Sequence, residues 1–312
     1  MRLASHGSGL FHQGDQAVRK TFPLRIGTCS WKYDSWAGIV YSEEHRRPYL
    51  EEYAEHFPTV EVDQWFWSLF AGNKVVLPKA SVIREYAASV PEGFLFGIKV
   101  PNSITLTHHY RKGKTDPLVA NPYFLSVDLM LRFLESISAL GKAIGPLNFQ
   151  FEYLNKQKIS GLAEFLDRFG GFVEQLPGGF TYCLETRNPN FLHQRYFDVL
   201  AEKGISHVFL QGYYMPSIFE VYSRFGPMVK ERTVIRLHGS GREEIEAKVG
   251  DDWSRIVTPR DAELHHLVDM LDDLGRRGVE TFLYVNNHFE GSAPRTIARI
   301  ERLISPAKML RD

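Results

Sequence analysis

Two hydrophobic rhythms alternate along this chain. Short apolar runs of strand character are followed by stretches whose apolar residues recur at spacings of three and four, the spacing that lines one face of a helix. The runs predict strands over Leu24–Cys29, from Thr59 onward, and over Phe94–Val100, Pro146–Phe151, Phe180–Glu185, Ser206–Leu210, Thr233–His238 and Thr281–Asn286. Between them the helical spacing predicts Ser42 to about Phe57 with Ser42 as cap, then Pro78–Val90, Pro122–Leu140, Ser160–Gln175, His193–Lys203, a short helix over Ser217–Phe225, Arg260–Arg277 and Pro294–Ile304. Eight strand-then-helix units with no composition break imply one parallel sheet, and a single (β/α)8 TIM barrel over 24–312 is the expected fold. Thr28-Cys29-Ser30-Trp31 follows the first strand where a dinucleotide fold would carry a glycine-rich turn, which argues against that alternative.

Residues 1–23 are polar and aperiodic and read as an N-terminal extension that is flexible or packs loosely. The remaining composition, 44% hydrophobic and 24% charged, is that of an ordinary globular protein. Basic and acidic residues number 37 each, so no global field recruits nucleic acid or an anionic membrane, and any anion site must be local. No apolar run reaches the ~18 residues of a membrane span and no secretory h-region precedes Leu24, so a cytoplasmic protein is expected. Cys29 and Cys183 lie inside apolar runs, which suits buried free thiols in a reducing compartment.

The candidate chemistry lies at the strand ends. Period two puts residues i and i+2 of a strand on one face, and the C-terminal ends of barrel strands converge on one mouth. Pairs of polar residues separated by one apolar or small residue recur there: Glu61 and Asp63, Asn148 and Gln150, Glu185 and Arg187, Arg236 and His238, with Lys99 on the third strand and Asn286 or Asn287 on the eighth. One Glu–Arg pair alone would more often be structural. A cluster drawn from at least five strands can shift pKa values and leave donors free for an anion. The Pro101–Asn121 connection carries His108, His109, Arg111, Lys112 and Lys114 and reads as a basic lid or a solvated loop. Four of the five tryptophans, Trp31, Trp36, Trp65 and Trp67, follow the first two strands, where they pack the loops or stack on a ligand ring.

The segments GTCSWKYDSWAGIVY at 27–41, TVEVDQWFW at 59–67, GIK at 97–99, ETR at 185–187, RLHG at 236–239 and YVNNHFEGSAP at 284–294 together resemble the YecE-like family, domain-of-unknown-function family 72. The resemblance runs from about 24 to 304 and implies a TIM barrel without an established reaction. It marks Trp31, Trp36, Glu61, Lys99, His108, Gln150, Glu185, Arg187, Arg236, His238, Gly239, Asn286 and Asn287 as exit-of-strand features. Asp63, Gln64 and Trp65 depart from the family's usual text, as do Phe151–Leu154 and Ser240–Thr258.

Two readings follow. In the first the chain is an enzyme, with hydrolysis as the candidate reaction, acting on a small polar or anionic ligand such as a phosphorylated or sugar-like molecule. Glu61, Glu185 and His238 are the candidate acids and bases. Lys99, Arg187 and Arg236 hold negative charge, while Trp31, Trp36, His108, Gln150, Asn286 and Asn287 contact the ligand. In the second, the same cations serve a non-enzymatic binding module for a nucleotide, phosphometabolite or nucleic-acid backbone. Suitable ligand types exist, but neither HExxH nor paired cysteines occur, so no metal ligands are assigned and the cofactor is unknown.

Overall fold

The computed structural model describes residues 24–309 except 45, 46, 112, 114 and 240. The extension expected over 1–23, and Lys112 and Lys114 of the basic loop, therefore lie outside the described residues. Eight strands form a closed barrel: β1 Leu24–Cys29, β2 Thr59–Val62, β3 Leu95–Lys99, β4 Ile144–Gln150, β5 Tyr182–Glu185, β6 Ser206–Gly212, β7 Arg232–Gly239 and β8 Glu280–Val285. Each pairs in parallel with its neighbour in sequence, and β8 returns to β1. The helices are α1 Tyr49–His56, α2 Ala80–Ala88, α3 Val127–Ile137, α4 Leu162–Val173, α5 Gln194–Glu202, α6 Ile218–Phe225, α7 Arg242–Val249, α8 Asp261–Arg276 and α9 Ala293–Met309.

The alternation of side chains divides the interior into two parts. Outward residues such as Val60, Ile98, Phe149, Leu184, Ile235 and Leu283 join the large core between sheet and helices. Inward, Cys29, Cys183, Val208, Val234, Phe282 and Tyr284 make a smaller apolar plug inside the barrel. Tyr284 reaches across this interior to Thr59, with Oη 3.0 Å from Oγ1. Its path explains Gly97, because a Cβ there would lie 2.3 Å from the Tyr284 hydroxyl oxygen. Above the plug, towards the C-terminal ends of the strands, the inward residues become ionic.

Some boundaries differ from expectation. Helix α1 starts at Tyr49 rather than after Ser42, because Pro48 disfavours helical geometry in the residue before it. The Ser42 amide and hydroxyl instead donate to the Glu52 carboxylate. Helix α3 starts at Val127, where the Ser126 hydroxyl accepts from the Leu129 amide, rather than at Pro122. The divergent Ser240–Thr258 segment contains α7, which buries only Ile245 and Val249 and apart from Ala247 is charged elsewhere. The Pro101–Asn121 connection is not structureless: Asn102–Thr105 forms a buried helical turn, and His108 bridges to Ala120.

Candidate active site

Arg236 is the hub of the ionic layer. Its position on β7 opposite Leu210 of β6 and Tyr284 of β8 fixes it above the apolar plug. One terminal nitrogen, Nη2, donates to Glu61 Oε2 over 2.6 Å, and the other, Nη1, donates to Glu185 Oε2 over 2.5 Å. All three side chains are buried. Glu185 is also gripped by Arg187, with Nε 2.8 Å and Nη2 2.7 Å from Oε1, and it accepts from Asn148 Nδ2 at 3.3 Å. Gln150, whose register partner is Glu185, accepts from both Arg187 and Arg236 at 3.3 Å. Burial alone would raise the Glu185 carboxyl, but Arg236, then Arg187 and Lys99, outweigh it and bring it down to about 2. Two buried polar atoms in this layer, Arg236 Nε and Asn148 Oδ1, have no hydrogen-bond partner among the described residues.

Lys99 differs from the two arginines. Its ammonium lies 4.2 Å from the centre of the Phe66 ring, and no carboxylate pairs with it among the described residues. Burial and then Arg236 lower its pKa, against the opposing pull of Glu61, Glu185 and Asp63. Glu61, Glu185, Arg236, Arg187 and Lys99 together sum to one positive charge, and Lys99 is the member without a counter-charge at contact distance. Asp63, one step beyond the end of β2, is exposed.

His238 lies over this layer. Burial, followed by Arg236, Arg187 and Lys99, pushes its pKa well down, so its imidazole is neutral in the ordinary pH range. Its Nε2 is 3.7 Å from Cys29 Sγ, and its Nδ1 shares a 3.3 Å hydrogen bond with the Tyr213 hydroxyl. Burial and then Glu61 hold the Cys29 thiol well above the usual range. Tyr213 also carries the Arg187 guanidinium over its ring at 4.1 Å. The backbone builds this contact. A Cβ on Gly212 would lie 2.3 Å from the Gly239 carbonyl oxygen, so only glycine lets the ends of β6 and β7 approach this closely, and the chain then turns through Tyr213 with φ of 55°. Sequence reasoning passed over Tyr213. The signal was an aromatic pair directly after a glycine at a strand exit.

The structure therefore brings together Glu61, Lys99, Gln150, Glu185, Arg187, Arg236 and His238. It does not place the other candidates among them. Trp31 is buried edge-on against Tyr86, and Trp36 is fully buried between Tyr33 and Tyr41. Trp65 stacks on Tyr86, whereas Trp67 is exposed beside Tyr110. His108 lies within electrostatic reach of Lys158 and Glu152 on the β4 exit loop. Asn286 accepts from the His288 amide, and Asn287 Oδ1 accepts from the Ala293 amide at the start of α9, so both side chains brace the β8 exit. Glu290 of the same segment accepts from Thr296, Arg299 and the Arg260 amide and ties that exit to α8 and α9. A cleft of about 250 Å³ opens at the opposite end of the barrel, between Thr181, Ser206 and Arg232, far from this chemistry.

Fold and cluster define a single (β/α)8 barrel with a buried Glu–Arg–Glu network beneath its C-terminal mouth. The family described as "Protein of unknown function DUF72" matches residues 25–311, and the chain belongs to it. The curated relative UPF0759 protein YecE of Escherichia coli strain K12 is 27% identical over 193 residues, 60% of this chain and 58% of the relative, so the match spans less than two thirds of that protein's length. A crystal structure of a DUF72 family protein from Enterococcus faecalis V583 superposes with a TM-score of 0.62 at 20% identity, covering 90% of this chain and 95% of that one. One from Thermotoga maritima MSB8 gives 0.58 at 18% identity, covering 93% and 99%. These likenesses establish the barrel. Among the described residues no helix is long and apolar enough to cross a membrane.

Proposed function

We propose that the C-terminal mouth binds a small anionic ligand, phosphorylated or carboxylated, and acts on it as an enzyme. The observation that carries the reading is Lys99, a largely buried cation with an aromatic face beneath it and no carboxylate partner among the described residues, beside a network whose other charges are paired. A buried ammonium without a counter-ion is costly, and an anionic ligand supplies the missing charge. In this reading Lys99 and Arg187 hold the anion and Gln150 and Tyr213 orient it. Glu185 works as a fixed anion rather than a proton carrier, because a carboxyl near 2 stays ionised at working pH. Glu61 and neutral His238 remain the acid–base candidates.

The geometry argues against glycoside hydrolysis by the two glutamates. That chemistry needs a sugar bond between the carboxylates, where the Arg236 guanidinium stands. One observation favours the alternative of a binding module without turnover: both glutamates are already engaged by Arg236. The two buried free cysteines are consistent with the proposed cytoplasmic setting. A thermal-shift screen with inorganic phosphate, phosphorylated sugars and nucleotides, followed by turnover assays on the hits, tests the reading. Stabilisation with turnover supports the enzyme, stabilisation without turnover supports the binding module, and no stabilisation by any anion contradicts both.

A further inference from the structure

Cys29 ends β1, Glu61 stands beside it on β2 as its register partner, and His238 comes from the end of β7. Cys29 Sγ, a Glu61 carboxylate oxygen and a His238 ring nitrogen all lie within 4.8 Å of one another. We propose that these three side chains form a binding site for a divalent transition metal, zinc in preference to magnesium or calcium.

The geometry suits zinc. Zn–S and Zn–N bonds at a tetrahedral angle put sulfur and nitrogen roughly 3.6 Å apart, and Cys29 Sγ lies 3.7 Å from His238 Nε2. A thiolate, an imidazole and one carboxylate form a soft to borderline donor set, which selects zinc over the hard cations. The outer contacts are of the kind that orient ligands. The Tyr213 hydroxyl bonds Nδ1 of His238, leaving Nε2 towards the sulfur, and Arg236 fixes the Glu61 carboxylate through Oε2. The backbone is held as well, since the Ser30 amide donates to the Glu61 carbonyl oxygen at 3.1 Å and Ser30 itself sits at a φ of 95°.

The same trio could be read as a thiol nucleophile with a histidine base, but a carboxylate beside a buried sulfur opposes an isolated thiolate. With a divalent cation present, that carboxylate and the His238 imidazole become ligands and no longer serve as the acid and base of the metal-free site. Binding replaces the Cys29 S–H bond with a sulfur–metal bond and releases the proton to solvent. The Cys29 thiolate and the Glu61 carboxylate neutralise the metal's charge, and Glu185 is the carboxylate left to balance Arg236. Three protein ligands leave a coordination position for water or a ligand atom, the arrangement of catalytic rather than structural zinc.

Cobalt titration of the chelator-treated full chain tests this. Wild type is expected to develop the near-ultraviolet thiolate-to-cobalt absorption with visible bands of tetrahedral intensity, and to retain about one zinc per chain when purified and dialysed without chelator. Cys29→Ser abolishes the thiolate band while Cys183→Ser keeps it, and Tyr213→Phe weakens cobalt affinity roughly tenfold with the band retained. A wild type that shows no thiolate band and keeps no zinc overturns the proposal, as does a band lost in Cys183→Ser but kept in Cys29→Ser. Circular dichroism checks that each variant is folded. If Cys29→Ser does not fold, His238→Gln together with the wild-type spectrum decides.

Discussion

Arg236 Nη2 and Glu61 Oε2 meet at 2.6 Å with both side chains almost fully buried, and the other end of the same guanidinium holds Glu185. One residue on β7 thus bridges two carboxylates from β2 and β5 across the barrel interior, with Arg187 as the second cation on Glu185. The arrangement makes Arg236 a structural requirement of the site as well as an electrostatic one.

Removing Arg236 strands the buried Glu61 carboxylate and leaves Glu185 with Arg187 as its remaining ion-pair partner. Arg236→Met is expected to destabilise the fold by about 3–5 kcal/mol, the usual cost of breaking a buried ion pair from one side. Arg236→Lys restores little, since an ammonium does not reproduce a planar fork spanning two carboxylates. Urea denaturation of the three proteins checks this, and a lysine variant as stable as wild type contradicts the bridging role.

Gly97 is required by Tyr284. A Cβ at 97 meets the Tyr284 hydroxyl oxygen at 2.3 Å and its ring carbons at under 3 Å, so Gly97→Ala costs about 1–3 kcal/mol through overpacking. Combining it with Tyr284→Leu gives a loss smaller than the sum of the single changes, because the smaller side chain vacates the space. Additive losses in a double-mutant cycle would show that the crowding lies elsewhere.

His207 sets a pH window for stability. It is buried among Tyr196, Phe197 and Phe209, and burial brings its pKa down to about 3 from an ordinary 6.5. Between these values the unfolded chain binds a proton that the folded chain refuses, so this contribution is intact above pH 6.5 and is lost as pH falls, by about 1.4 kcal/mol per unit from this group alone. Glu185, held near 2, adds a loss of the same sign below its ordinary value of 4.5. His207→Gln should reduce the slope of stability against pH between 6 and 5 by about one proton. Denaturant midpoints across that range measure it, and an unchanged slope refutes the assignment.

Much of this was readable in the chain. Period-two pairs such as Glu61/Asp63 and Arg236/His238 mark the inward face of the strands that carry them, because a strand residue and its second neighbour share a face whatever surrounds them. What they could not show is that Glu61 and Glu185 share one guanidinium, since that depends on the lateral register of strands far apart in sequence. Tyr213 was hidden because its place follows from the close approach of Gly212 and Gly239. Helix α7 escaped notice because it buries too few residues to leave a periodic stripe. Asn286 and Asn287 are candidates for ligand contact in the sequence, and the contacts seen for their side chains are those that brace the β8 exit.

Lys99 concentrates the central claim, because a desolvated cation without a counter-ion is expected to cost stability that its ligand returns. Lys99→Met should leave the unliganded protein as stable as wild type or more so, by up to about 1 kcal/mol. The most direct measurement is the phosphate-induced shift in melting temperature of wild type and Lys99→Met, side by side at fixed ionic strength. The account predicts a concentration-dependent rise in wild type that disappears in Lys99→Met. An equal rise in both proteins would contradict it.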